Sequence, residues 1–418
     1  MLPFLLFFVI ILWGMSWMNW LNWRNWRQVI WRSPMILLVC FIFVTTLMGC
    51  APMPSASSLE ANPRTFSALS VEFLDEYHIP KDDFEETEVG GLSAISYDPR
   101  HDVYYAQTDD RSLKAPARFY RLKIDLDESG AIPQIDNVRI ESATTLIRTE
   151  GKPFSKGRID PEGIAFSPRN TVFISSEGNR THKQKPLPFV KEFSLDGQEL
   201  GELRIPDRFL YGSPTEGVQV NAGFEALAIA APSLAPEDPF RLFVAPEYSL
   251  IQDAADNNIT KPIRFLHYVI NPIGDPVLIA EHLYPLEPTP NGALGNGLVE
   301  LAALPQEGEL LSLERTYGLW GFGVKLFQLS LGNATDTTKI ESLAGNPASI
   351  TPIKKTLLLD LKTLGIGLDN LEGMTLGRKF ADGSQSLILI SDDNFRDDQV
   401  NQVLLFRLSN SAANATSK

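Results

Sequence analysis

Cysteine is all but missing. The chain of 418 residues has two, Cys40 and Cys50, both within its first fifty positions. The remainder therefore has neither a disulfide framework nor a thiolate metal site. Histidine is sparse as well: His78, His101, His182, His267 and His282 are scattered, with no HxH or HExxH spacing. That scatter does not suit a histidine-held zinc centre. No G-x-S-x-G turn occurs, so a serine nucleophile of the strand-to-helix kind has no motif. Positive charge is short too. The first fifty residues carry Arg24, Arg27 and Arg32 and no acid, so a formal charge of −14 for the chain becomes −17 for the rest. A domain this acidic repels phosphate backbones, which excludes nucleic acid as a partner, and it suits cations.

The amino terminus is an address. "LPFLLFFVIILWGMSWM" is followed by a Trp/Arg-rich stretch and then by a second apolar run, "MILLVCFIFVTTLMGC", ending at Cys50. Basic residues, about fifteen apolar ones and a small residue at the end form the layout of an export signal. "LMGC" resembles a bacterial lipobox, which makes Cys50 the lipidation site, and "APMPSASS" reads as a tether. The alternative is a retained transmembrane anchor. The expected organisation is 1–50 export or membrane segment, 51–66 tether, 67–409 folded domain and 410–418 polar tail. The expected location is outside the cytoplasmic membrane, periplasmic or cell-surface, attached through the lipid or the apolar segment.

The domain repeats itself. "DPEGIAFSPRNTVFISSEGNR", "GFEALAIAAPSLAPEDPFRLFVAPEYS", "LVELAALPQEGELLSLERTYG" and "NLEGMTLGRKFADGSQSLILISDDNF" share one pattern: acid, apolar run, turn, apolar run, acidic cluster. Glu162, Glu225, Glu300 and Glu372 are 63, 75 and 72 residues apart. "GGLSAISYDPRHDVYYAQTDDRS" begins a further copy 71 residues earlier, with Gly91 at the glutamate position. Hairpins such as "FVKEFSLDGQELGELRIP" fill the intervals, turning at Asp196-Gly197. Four antiparallel strands per period predict an all-β fold, a β-propeller of four-stranded blades. Five blades carry the motif, and 253–297 or 330–368 leaves room for a sixth. "LSVEFLDEYHIP" is the expected closing strand, completing the last blade and removing two open sheet edges.

The repeat carries chemistry. In an antiparallel hairpin the start of one strand lies beside the end of the next. Glu162 is thus paired with Glu177, Glu225 with Glu247, Glu300 with Glu314, and Glu372 with Asp392 and Asp393, while Asp109 and Asp110 close the first copy. Placed on inner strands, all of them face one channel mouth, where Ca²⁺ would relieve their repulsion through carboxylate ligands. Arg111, Arg180, Arg315 and Arg396 follow the same turns and suit a phosphate ester. The same acids could instead bond backbone amides of neighbouring blades.

At "DPEGIAF…ISSEGNR", "LLSLERTYG" and "NLEGMTL…LILISDDNF" the chain resembles the esterase-like phytase family, over roughly 85–408. The resemblance implies an exported β-propeller phosphoester hydrolase assisted by Ca²⁺, with a small phosphorylated substrate. It carries over to Asp109, Arg111, Glu162, Glu177, Glu300, Glu314, Arg315, Glu372, Asp392 and Asn394. The expected catalytic carboxylates are Glu162, Glu300, Glu372 and Asp392. Asn394 joins the arginines at the substrate, and all the acids, these four together with Asp109, Asp110, Glu177, Glu225, Glu247, Glu314 and Asp393, are expected metal ligands. Two rivals remain: a non-catalytic surface propeller that binds a ligand or protein, and a lactonase-like hydrolase.

Overall fold

The computed structural model describes residues 69–254, 261–319, 321–345 and 348–410. Residues 1–50 with Cys50, expected to be an export or membrane segment, the expected tether at 51–66 and the residues beyond Asn410 lie outside the described residues.

Turn chemistry stops the strands where the sequence predicts. Gly197, at φ 83°, turns Phe189–Ser194 into Glu199–Glu202, and a Cβ there would collide with the Thr145 carbonyl. Burial then follows radial position. Val103–Thr108 and Thr171–Ser176 are buried at every residue, because a neighbouring sheet presses on each face. Near the rim, Gln134–Thr145 is largely open to solvent.

Five four-stranded antiparallel sheets result. Blade 1 runs outward through Leu92–Asp98, Val103–Thr108, Arg118–Asp127 and Gln134–Thr145. Blade 2 is Pro161–Phe166, Thr171–Ser176, Phe189–Ser194 and Glu199–Glu202. Blade 3 is Phe224–Ala230, Phe240–Pro246, Lys261–Ile270 and Val277–Leu286. Blade 4 is Ala293–Ala303, Glu309–Gly318, Gly321–Ser330 and Lys354–Asp360. Blade 5 is Leu371–Lys379, Gln385–Ser391 and Asn401–Asn410, completed by Leu69–Ile79 from the other end of the chain. Each innermost strand touches the next, and the last touches the first, so the sheets form a ring.

The fold is therefore a five-bladed β-propeller closed by its N-terminal strand. The room left for a sixth blade is used otherwise: 253–297 supplies the outer strands of blade 3 and opens blade 4, while 330–368 supplies the rim of blade 4. The core is divided among the blade interfaces. Ile95, Tyr104 and Leu122 of blade 1 pack on Ile388, Ile390 and Val403 of blade 5. Val103 and Phe119 pack on Ile164, Val172 and Phe193 of blade 2. Each such burial contributes about 1.5–3 kcal/mol, so the ring is held by many equal contacts rather than one centre.

Candidate functional site

Every innermost hairpin breaks register at the same end, and those of blades 4 and 5 break a second time, at Ala293/Gly295 and Leu376/Lys379. Leu92 pairs with Thr108 but Ala94 with Gln107; Pro161 pairs with Ser176 but Ile164 with Ile174. Phe224 and Ala226 face Pro246 and Ala245, Leu298 and Glu300 face Glu314 and Leu313, and Leu371 and Gly373 face Ser391 and Ile390. The extra residue makes a β-bulge, which re-aims a side chain. It falls at Ser93, Glu162, Glu225, Val299 and Glu372. Next on the second strand, beyond the partner of the residue before the bulge, come Asp109, Glu177, Glu247, Arg315 and Asp392; four of these lie just past the strand's end, while in blade 4 pairing continues through Arg315 to Gly318. In four blades the N–H of that residue bonds the carbonyl of Gly91, Asp160, Gly223 or Asn370 at 2.8–3.0 Å. Blades 2, 3 and 5 thus give two acids each to one mouth, while blade 1 gives Asp109 and blade 4 gives Arg315, their bulge residues Ser93 and Val299 being buried outside its lining.

The mouth is a cavity of about 460 Å³ lined by Asp109, Arg111, Glu162, Glu225, Glu247, Arg315, Glu372 and Asp392, with Asn394 and Arg396 at its rim. Asp160 and Glu177 are buried against it. Carboxylate oxygens of Asp160, Glu162 and Glu177 lie within 4.8 Å of one another, as do those of Glu177, Glu225 and Glu247. Two oxygens on one Ca²⁺ stand at most about 5 Å apart, so both groups are compact enough to hold that ion. Glu177 belongs to both. It also accepts the Gly223 N–H at 2.6 Å. Asp109 lines the same mouth, and its Oδ1, packed over Gly91, is buried without a partner.

Two guanidiniums divide the ring. Arg111 donates Nε to Asp160 Oδ1 (2.5 Å) and a terminal nitrogen to Asn221 Oδ1 (2.9 Å). Arg315 reaches Glu372 Oε1 at 2.6 Å and Glu247 Oε1 at 3.6 Å, while its Nε is buried and unpartnered. Asn370 also donates to Glu372, at 3.0 Å. Burial and mutual repulsion raise the acids together. Burial lifts Glu162 well above the carboxylate range, followed by Glu177, Asp160 and Asp109. Glu177 and Glu225 rise for the same reasons, each pressed by Glu247. Asp392 rises through burial, then Asp109 and Glu372. Burial, Glu372 and Asp160 push Asp109 up to about 7. Burial pushes Asp160 to about 6 against the pull of Arg111.

Five expected members lie outside this group, and a sixth, Arg396, only reaches its rim. Glu300 sits one residue past the bulge, where the other blades have Ala94, Gly163, Ala226 and Gly373. Its Oε1 accepts the N–H of Leu301 (3.0 Å) and of Leu227 in blade 3 (3.2 Å), its Oε2 is buried without a partner, and burial raises its pKa against the pull of backbone N–H groups. It is inter-blade glue in the channel wall. Glu314 turns the other way, to Tyr284 (2.7 Å) and Lys355 (2.6 Å). Asp110 caps its own turn through the N–H groups of Leu113 and Ala115 and pairs with Arg118 at 2.9 Å. Asp393 accepts the Gly91 and Phe395 N–H groups and faces Lys81. Arg180 donates to the carbonyls of Val218 and Ser213. Arg396 reaches the rim but is exposed and forked onto Asp398 at 2.9 Å. Gly91 is likewise displaced: Ser93 holds the bulge of blade 1, and a Cβ on Gly91 would collide with Asp109.

Sequence reasoning missed Asp160 and Asn370. They are equivalent, each two residues before a bulged glutamate in "DPEG" and "NLEG", and that doubled motif was the available signal. The opposite channel end is a different environment, a cavity of about 150 Å³ lined by residues such as Ile95, Ile164, Leu227, Leu301 and Met374. Charge gathers at one end alone.

A family model described as phytase-like, esterase-like activity of phytase, matches residues 87–395. No curated protein matches the sequence. Among solved structures, the endo-arabinase of Bacteroides thetaiotaomicron is 11% identical, with 76% of this chain and 93% of that one covered at a TM-score of 0.38. The α-L-arabinofuranosidase catalytic domain of Coprinopsis cinerea is 12% identical, covering 82% and 98% at 0.37. The major allergen of Malassezia sympodialis is 10% identical, covering 77% and 95% at 0.36. Likenesses this distant bear on neither substrate nor mechanism.

Proposed function

The chain belongs to the phytase-like family, and on that premise we propose that it hydrolyses phosphate esters at the acidic mouth of its propeller, with Ca²⁺ held among the carboxylates. The observation that carries this is the composition of the mouth: Asp109, Asp160, Glu162, Glu177, Glu225, Glu247, Glu372 and Asp392 against Arg111 and Arg315. Eight acids and two guanidiniums, all ionised, sum to −6. Two like charges 4.8 Å apart repel by about 3.5 kcal/mol at an effective dielectric constant near 20. A phosphate ester could not enter such a field uncompensated. Protons or divalent cations must fill it: two Ca²⁺ take the sum to −2, and protons on the acids whose pKa is raised take up the remainder.

Asp160, Glu162 and Glu177 would hold one ion, and Glu177, Glu225 and Glu247 a second. Bound Ca²⁺ supplies neutralisation and polarisation of a phosphoryl oxygen. The protein's own groups do the rest. Arg315 Nε, buried and unpartnered, donates to a phosphate oxygen while Glu372 and Asn370 keep the guanidinium in place. Asp109 Oδ1, unpartnered and raised toward neutrality, takes a proton from the attacking water. The water oxygen bonds to phosphorus, the P–O ester bond breaks, and the departing alcohol oxygen receives the proton. Of the expected catalytic acids, Glu162, Glu372 and Asp392 stay in the mouth as ligands or positioning groups, and Glu300 leaves the list.

The test is turnover of 4-nitrophenyl phosphate and bis(4-nitrophenyl) phosphate by wild type, Asp109→Asn and Glu225→Gln, each with Ca²⁺ and with chelator. Wild-type turnover that needs Ca²⁺ and drops at least about a hundredfold in Asp109→Asn is expected. Background rates throughout, with Ca²⁺ bound, would leave a non-catalytic binding propeller. The proposal extends to the amino terminus: export, followed by lipidation of Cys50. The mass of the mature protein decides between a lipidated Cys50 terminus and a retained apolar anchor.

A further inference from the structure

The mouth has a wall on one side. In blades 1, 2, 3 and 5 the second strand ends immediately before the side chain it gives to the ring, at Thr108, Ser176, Pro246 and Ser391. In blade 4 it runs on through Arg315, Thr316 and Tyr317 to Gly318, and the next strand returns from Gly321. Three residues beyond Arg315 add roughly 10 Å of strand above the ring. Alternate residues of a strand share a face, so Tyr317 stands on the same side as Arg315. The Arg315 guanidinium lies 5.5 Å from the Tyr317 ring centre. Tyr317 lies across Gly295, where any Cβ would collide with its ring, and pairs across the hairpin with Phe322. Both rings line the cavity, and Tyr317 is 42% exposed. A half-open tyrosine seated on a glycine is a platform, not core packing.

Cations, by contrast, are few and occupied. Arg111, Arg315 and Arg396 line the mouth, and each already contacts a carboxylate, Asp160, Glu372 and Asp398 respectively. No lysine lines it among the described residues. Each further phosphate on a substrate brings about −1.5 to −2 charge that this rim has no free cation to meet.

Resting on the phosphoester reading above, we infer that the substrate carries a single phosphate on a flat apolar or aromatic alcohol, the phosphate at Arg315 and the flat group against Tyr317 and Phe322. A polyphosphorylated ring is the wrong charge for this rim and leaves the aromatic wall unused. Benzyl phosphate, methyl phosphate and myo-inositol hexakisphosphate separate the possibilities, because the first two leave as similar alcohols and differ mainly in the ring. With Ca²⁺ present, KM for benzyl phosphate is expected about tenfold below that for methyl phosphate, the range of one or two aromatic contacts. In Tyr317→Ala/Phe322→Ala that ratio falls toward one, with circular dichroism confirming the fold. Hydrolysis of the hexakisphosphate at equal or higher kcat/KM, or a KM ratio near one in wild type, overturns the inference and leaves phosphoester hydrolysis standing. Failure to hydrolyse any of the three overturns both.

Discussion

Blade 4 and the other four blades share a backbone and differ in what they do with it. All five bulge at the same place and aim one side chain of the second strand at the mouth, just past the strand's end in four blades and within the longer strand in blade 4. Four of them send an acid, Asp109, Glu177, Glu247 or Asp392; blade 4 sends Arg315. At the bulge, blades 2, 3 and 5 place glutamate, while blade 4 places Val299. The propeller is thus a frame with two addressed positions per blade, and chemistry is written onto the addresses separately. On the reading proposed above, one blade written differently would turn a ring of repulsion into a site with a side for cations and a side for the anion.

Making blade 4 like its neighbours is the strongest way to break that comparison. Arg315 lies between Glu372, Glu247 and Glu225, which hold its charge firmly in place against the cost of burial. Arg315→Glu removes the partner and adds a ninth acid. Losing one side of a buried ion pair costs about 3–5 kcal/mol, so without Ca²⁺ the variant should unfold at much lower denaturant, or not fold. Denaturant titrations with Ca²⁺ and with chelator measure this. Equal stability of variant and wild type in chelator would show that Arg315 is not the counterion of the ring.

Glu300 sharpens the comparison from the other direction, since it is a blade 4 glutamate that is not a ring member. Glu300→Ala strips an acceptor from the buried Leu227 N–H, at about 1–3 kcal/mol for a donor left unpaired. Glu300→Gln keeps an acceptor oxygen and should lose under about 1 kcal/mol. Neither should change the gain in stability on adding Ca²⁺, whereas Glu225→Gln should reduce it. Calorimetric Ca²⁺ binding that weakens in Glu300→Gln as much as in Glu225→Gln would return Glu300 to the ring.

The Glu300 case also marks how far the residues alone could be read. Architecture was legible because it follows from things a sequence displays: a recurring apolar rhythm, Asp-Gly turns, and an orphan strand at each end of the chain. Most of the mouth was legible for the same reason, since Glu162, Glu225, Glu372 and their hairpin partners recur in the right order. A bulge, however, adds a residue without altering hydrophobic content, so nothing in "LVELAAL" says whether Val299 or Glu300 occupies it. Alignment on the letter Glu shifted blade 4 by one residue and hid Arg315 as the true counterpart of Glu177. Blade 1 shifted by two, to Gly91 instead of Ser93. Asp110, Glu314 and Asp393 show a second limit: neighbouring side chains at a strand end point to opposite sides, and although Asp110 is satisfied within its own turn, Glu314 and Asp393 find partners distant in sequence, Tyr284 and Lys355, and Gly91 and Lys81.

Proton linkage tests the same contrast more gently. Burial and neighbouring acids raise Asp109 to about 7 and Asp160 to about 6, above their ordinary value of 3.8. Between those values the cation-free folded protein binds more protons than the unfolded chain. Its stability is therefore fullest below about pH 4 and falls as pH rises through 7. His267, which burial depresses to about 4 from 6.5, works in the opposite sense between pH 4 and 6.5, but it is remote from the ring on blade 3. Subtracting Tm in chelator from Tm in Ca²⁺ removes its contribution. That difference should widen by several degrees from pH 5 to 8. A difference flat with pH would mean that the ring acids do not exchange protons for the ion.

The smallest effect belongs to a cation that shares the mouth by position alone. Arg396 follows the blade 5 turn much as Arg315 occupies the blade 4 exit, yet it is 61% exposed and forked onto Asp398. Exposed pairs of this kind are screened by water and salt and give little net attraction. Arg315 differs in being buried among three glutamates with one N–H left open, where the low local dielectric makes each contact count. Arg396→Ala should leave Tm within measurement error and change kcat/KM for a phosphomonoester by less than about threefold. A larger loss, disappearing at high salt, would mean that the rim steers the anion inward and that phosphate recognition extends from blade 4 to blade 5.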